Sequence, residues 1–222
     1  MGKINIPPRK DLEKFLRESE NTQRLIDHSN MVADLALRIA DIFIAKGIWV
    51  NKEVLEAGAI LHDISIGKHH VPEHGMIGHD MILELGLPEP VARLADIHMP
   101  WSEDEAKTLN FPPKYCKDHF PSNWEEKIFI AADSIPFLAI YMEVDPWTNE
   151  PGKLIEAVLP FFNEDYFLPI TGKNVEKDYP FFIRWLRSTQ EILENYSRSD
   201  FIEFRRELES KYPPDYLKEV AR

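Results

Sequence analysis

Apolar positions along this chain recur every three or four residues, the spacing of one buried helix face. Arg9 to Ser19 reads as a short amphipathic helix, and Asn21-Thr22 supplies N-cap chemistry for a longer one through about Lys46, which Gly47 stops. In that second helix His28, Val32, Leu35, Ile39 and Ile42 follow one stripe. Asn51 caps a third helix in which Leu55, Ala59 and His62 share a face, so the pair His62-Asp63 stands at its C-terminal end. Ser65 to Glu73, punctuated by Gly67 and Pro72, reads as a loop. A fourth helix is predicted from about Gly75 to Leu85 with His74 at its start, and Gly86-Leu87-Pro88 ends it. Pro90 opens a fifth, whose Val91, Leu94 and Ala95 lead to His98. Pro100 to Asn123 reads as loop with one helical turn near Glu103 to Leu109.

Asn123 then caps a sixth helix, Trp124 to about Met142, apolar on nearly every face after Lys127 and therefore central. Asp133 stands alone within it, and a buried carboxylate without a cation costs several kcal/mol, on the order of a whole domain's net stability. Pro136 is expected to kink the helix beside it. From Asp145 onward prolines break up an aromatic stretch, and a long amphipathic helix is predicted from about Pro180 to Tyr212. The expectation is an all-α protein: residues 1-144 form the bundle, and 145-222 form a helical extension packed on it through Phe161, Phe162, Trp185 and Leu186.

Several of these stripes end in a metal-ligating side chain. Any one of the histidines, taken alone, reads as a core or helix-end residue; the ordered series His28, His62-Asp63, His74, His98, Asp133 reads as a site for one or two metals. Imidazole nitrogen and carboxylate oxygen suit divalent iron, manganese, cobalt or nickel, with magnesium as a further option, whereas soft-metal sites want thiolates. Cys116 is the single cysteine, so neither a thiolate site nor an internal disulfide can form.

Composition narrows the partners. A net charge of −12 with 26 basic residues disfavours broad contact with a phosphate backbone, so no nucleic-acid polymer is expected. No stretch approaches the roughly 20 apolar residues of a spanning helix, and no N-terminal targeting segment stands out. The expectation is a soluble, cytoplasmic protein without a membrane partner.

The ordered series resembles the ligand set of the HD-domain superfamily of metal-dependent phosphohydrolases, which are all-helical, and within it an uncharacterised HDIG-type group of small proteins. The segment His74-Gly75-Met76-Ile77-Gly78 with Gly86-Leu87-Pro88-Glu89 and His98 resembles the HxxxG…GLP…H region of members that hold two metals. Glu126-Lys127-Ile128 before Ala132-Asp133 resembles the last ligand helix, and the resemblance covers about residues 22 to 143. It implies one metal on His28, His62, Asp63 and Asp133, with Asp63 bridging to a second on His74 and His98.

The sequence departs from the family where Ser65 and Ile66 stand in place of a usual glycine and lysine, and Lys68 comes two residues late. Two ions about 3.5–4 Å apart bind a phosphate ester, acidify a bridging water and stabilise attacking and leaving oxygens, so hydrolysis of a small phosphate ester or nucleotide is the implied reaction. Asp63 then sits at the reacting centre, and Lys68, His70 or Arg93 would steady the non-bridging oxygens. His69 and His79 are weaker candidates, and His119, in a proline-rich loop, is expected at the surface. Two other readings stay open: a diiron oxygenase like inositol oxygenase, and a non-catalytic module that senses a nucleotide.

Overall fold

The computed structural model describes residues 6–147 and 180–222. Among them every regular element is helical. The α-helices are α1 (Arg9–Glu18), α2 (Gln23–Ala45), α3 (Lys52–Leu61), α4 (His74–Glu84), α5 (Glu89–Ile97), α6 (Glu103–Thr108), α7 (Trp124–Pro136), α8 (Pro180–Leu193), α9 (Arg198–Lys211) and α10 (Pro214–Val220).

Helix starts follow the capping side chains. Thr22 Oγ1 accepts from the Leu25 N–H at 3.3 Å, Asn51 Oδ1 from Val54 at 3.2 Å and Asn123 Oδ1 from Glu126 at 2.9 Å, which satisfies backbone donors that no helical carbonyl reaches. Gly47 leaves α2 at φ +83°, a conformation costly for any side chain with a Cβ.

The long α2 packs on α3 and α7, α3 also packs on α5, and α4 lies along α5. Val32, Leu35 and Ile39 are fully buried on the stripe of α2. Each stabilises by about 1.5–3 kcal/mol, more than helix propensity can supply, so tertiary burial orients the helix and carries His28 inward on the same face. The approach of α3 to α5 needs Gly58, where a Cβ would lie 2.4 Å from Leu94 Cδ1.

The sixth helix runs on to Tyr141, close to the expected Met142, but it changes type at Pro136, which has no N–H for the carbonyl four residues back. The backbone widens there into a π-helical turn, Phe137–Tyr141, in which the Met142 N–H donates to Phe137 O at 2.9 Å. The helix expected from Pro180 to Tyr212 is broken in two, because Ser197 and Asp200 form a reciprocal capping box that starts α9 afresh. Trp185 and Leu186 of α8 are buried, and α8 packs on α7. Phe161 and Phe162, the other expected packing residues, lie outside the described residues. Among the described residues no helix is long and apolar enough to cross a membrane.

Candidate metal centre

Four imidazoles and two carboxylates converge between α2, the end of α3, the start of α4, the end of α5 and α7. Each imidazole is oriented by a backbone carbonyl at its Nδ1: His28 by Val220 at 2.9 Å, His62 by Ala59 at 2.8 Å, His74 by Val71 at 2.7 Å and His98 by Ala95 at 2.8 Å. A carbonyl only accepts, so every Nδ1 carries the proton, and Nε2 is the atom left to face inward. Metal-ligating histidines are held in this way, with the far nitrogen bonded to fix tautomer and ring angle.

The inward atoms fall into two groups, His28, His62 and Asp133 in one and Asp63, His74 and His98 in the other, each with its ligand atoms within 4.8 Å of one another. Asp63 belongs to both by geometry. Its Oδ2 lies 3.2 Å from His62 Nε2 and 3.8 Å from His28 Nε2, while Oδ1 lies 3.6 Å from His74 Nε2 and 3.8 Å from His98 Nε2. Asp133 Oδ1 closes the first group, 3.2 Å from His28 Nε2 and 3.8 Å from His62 Nε2.

The electrostatics of the two groups differ. Burial works against the ionised forms of Asp63 and Asp133, yet His62 beside Asp63 and the His28 hydrogen bond to Asp133 outweigh it, and both carboxyls sit below their ordinary range. Burial also works against a charged His62, but Asp63 and Asp133 push its imidazole up to about 9, so near neutral pH an ion would compete with a proton here. In the second group burial, then the neighbouring His98, push His74 down to about 4, and burial holds His98 below its usual value. Their two Nε2 atoms are 2.7 Å apart, each ring already bonded through Nδ1. Two lone pairs at that distance repel unless a proton or a metal ion lies between them, and imidazole nitrogen with carboxylate oxygen is a donor set that fits divalent ions of the iron, manganese, cobalt or nickel kind.

The surrounding residues hold this arrangement. Gly75 is required by His98: a Cβ there would come within 2.4 Å of Ala95 O and 2.6 Å of His98 Cε1. Buried Ser65, standing where the family resemblance leads one to expect glycine, donates to His74 O at 2.7 Å and so ties the segment after Asp63 to the start of α4. Asn21 clamps the same segment, donating to Ile64 O at 2.9 Å and accepting from the Gly67 N–H at 3.2 Å.

All six expected ligands are brought together, and they line a cavity of about 450 Å³. Of the residues expected to steady oxygens, His70 lines it. Lys68 is not among the lining residues; its ammonium lies 3.8 Å from Glu20. Arg93 is also elsewhere, donating to Phe120 O at 2.9 Å and paired with buried Asp96. His119 is not at the surface but fully buried, with Nδ1 2.7 Å from Asp96 Oδ1 and Nε2 2.8 Å from Tyr115 O, so it anchors its loop to α5. His79 pairs with Glu89 at 3.2 Å, and His69 is exposed. The sequence reading missed Arg24, Phe137, Trp185 and Arg222, which also line the cavity. Arg24 was within reach, since it precedes His28 by one helical turn.

A family model described as HD domain matches residues 25–134, a span that holds all six ligands. An uncharacterized protein of Methanocaldococcus jannaschii is 33% identical over 139 residues, which cover 61% of this chain and 80% of that protein. Two proteins named tRNA (cytidine(56)-2'-O)-methyltransferase, from Picrophilus torridus and Thermoplasma volcanium, are 30% and 27% identical over 148 residues. Those stretches cover 60% of this chain and 41% of each methyltransferase, so the chain spans well under half of their length. No solved structure matches the chain.

Proposed function

We propose that this chain, which belongs to the HD-domain superfamily, is a metal-dependent phosphohydrolase acting on a small phosphate ester or nucleotide at a dinuclear centre. The observation that carries this reading is Asp63, whose two oxygens each face a separate group of ligands. His28, His62 and Asp133 would hold one ion and His74 and His98 the other, with Asp63 between them. Ions so held supply Lewis-acid polarisation of a phosphoryl oxygen and acidification of water at neutral pH.

The chain's own residues do the remaining work. His70, Arg24 and Arg222 present basic groups at the cavity, suited to the charged oxygens of a phosphate ester. Phe137 and Trp185 give the same cavity an apolar wall for the rest of the substrate. The tRNA in the names of the methyltransferase relatives is not carried over to this chain, whose charge of −12 is poorly suited to a long phosphate backbone.

The test is metal analysis of protein purified without chelator, followed by a panel of nucleotides and phosphate esters with oxygen monitored in parallel. Ion-dependent release of phosphate is expected. Oxygen consumption without phosphate release would replace this reading with the oxygenase one, and tight nucleotide binding without turnover would replace it with a sensing module.

A further inference from the structure

Three of the four histidines are oriented from within their own stretch of chain, by the carbonyl three residues earlier: Ala59 for His62, Val71 for His74 and Ala95 for His98. His28 is not: it sits inside α2, on the buried face of that helix. Its Nδ1–H goes instead to Val220 O, 192 positions away and 2.9 Å distant. That carbonyl lies in the last turn of α10, where no intrahelical donor reaches it. The mutual fit is buried, with Val220 and Ala221 fully covered and Leu217 nearly so. The helix is also latched beside the ligand, because Tyr216 Oη donates to Asp27 Oδ2 at 2.8 Å.

We propose that α10 is a positioning element for the first ion: the Val220 carbonyl holds His28 in its Nδ1–H tautomer, and docking of this helix sets the affinity of the group formed by His28, His62 and Asp133. The inference rests on the metal reading above. Loss of such an outer partner typically costs 10- to 100-fold in metal affinity or activity. The second group, oriented by local carbonyls, does not share the dependence.

The experiment compares the wild type with a chain ending at Lys218, which lacks the Val220 carbonyl, and with Tyr216→Phe, which keeps the carbonyl and removes only the latch. Affinity for each of two zinc ions is titrated, and the imidazole nitrogens are read by ¹⁵N NMR in the ion-free and zinc-loaded states. The shortened chain is expected to bind one ion about 10- to 100-fold more weakly with the other unchanged, and only His28 among the four ligand histidines should lose its fixed tautomer. Tyr216→Phe should show a smaller loss at the same ion. Two ions held at wild-type affinity, or both weakened equally, would overturn the proposal. If the shortened chain does not fold, Tyr216→Phe decides alone, and an unchanged first ion sinks it. Wild-type protein that takes up no metal defeats the phosphohydrolase reading instead, while the ion-free tautomer of His28 still reports whether Val220 sets it.

Discussion

The two halves of the centre share Asp63 but are built differently. In the half with His74 and His98, both rings are held by carbonyls of their own chain stretch, and burial keeps the imidazoles neutral, with the single proton of each on Nδ1. In the half with His28 and His62, two carboxylates crowd two imidazoles, a proton is gathered readily, and one ring depends on a distant helix. A donor set can therefore look symmetric as a roll of residue types while its halves answer differently to pH and to distant packing. Local hydrogen bonds make a ligand robust, and borrowed ones make it conditional.

The largest effect should come from the shared residue. Asp63→Ala is expected to strip both ions and reduce hydrolysis to background, read by metal content per chain and phosphate release; retention of one ion at full affinity would show that the halves are independent. His74→Ala should then separate them, leaving one ion per chain on His28, His62, Asp63 and Asp133 and removing the hydrolysis that needs a pair. Unchanged activity in both His74→Ala and His98→Ala would reduce the centre to a single ion.

Acidity should separate the halves more finely. His62 lies near 9 in the ion-free chain, so below that pH an ion entering the first group must displace a proton. Its affinity should rise with pH by about tenfold per unit between roughly 7 and 9. His74, pushed down to about 4, and His98, below its usual value, carry no second proton at Nε2 over that range, so the second ion's affinity should stay flat. Titration of two ions at several pH values checks this, and parallel slopes would erase the distinction. The smallest effect on the comparison of the two ions is expected from Gly75→Ala, whose main cost falls on the fold: its Cβ would strike the Ala95 backbone carbonyl and the His98 ring, a clash that outweighs the gain of up to about 1 kcal/mol in helix propensity. Thermal unfolding with and without metal should show a lower midpoint and a weaker second ion.

Much of this could be read in advance because burial in a helical protein is periodic. His28 shares a stripe with Val32 and Leu35, His62 with Ala59 and His98 with Ala95, so tracing the apolar face traced the ligands as well. What escaped the sequence was set by contacts between remote segments. His119 looked like a surface residue until the chain folded its loop onto Asp96, and Arg93 looked available until the same carboxylate took it. The interruption at Ser197 was legible, since Ser197 and Asp200 have capping-box spacing, but the amphipathic pattern ran straight through it. No local pattern marks Val220, because its part is played by a backbone carbonyl that every residue type carries.

The contact between His28 and Val220 also has a consequence in time. A ribosome adding about 5–20 residues per second needs roughly 10–40 s to cover the 192 positions between them. During that interval α3, α4 and α5 can emerge and pack, with His62, His74 and His98 already facing their own carbonyls. The Asp63, His74 and His98 group would therefore be oriented before Val220 is made, whereas His28 gains its partner only once α10 docks. Were two ions held as proposed, the two seats would become ready at different times.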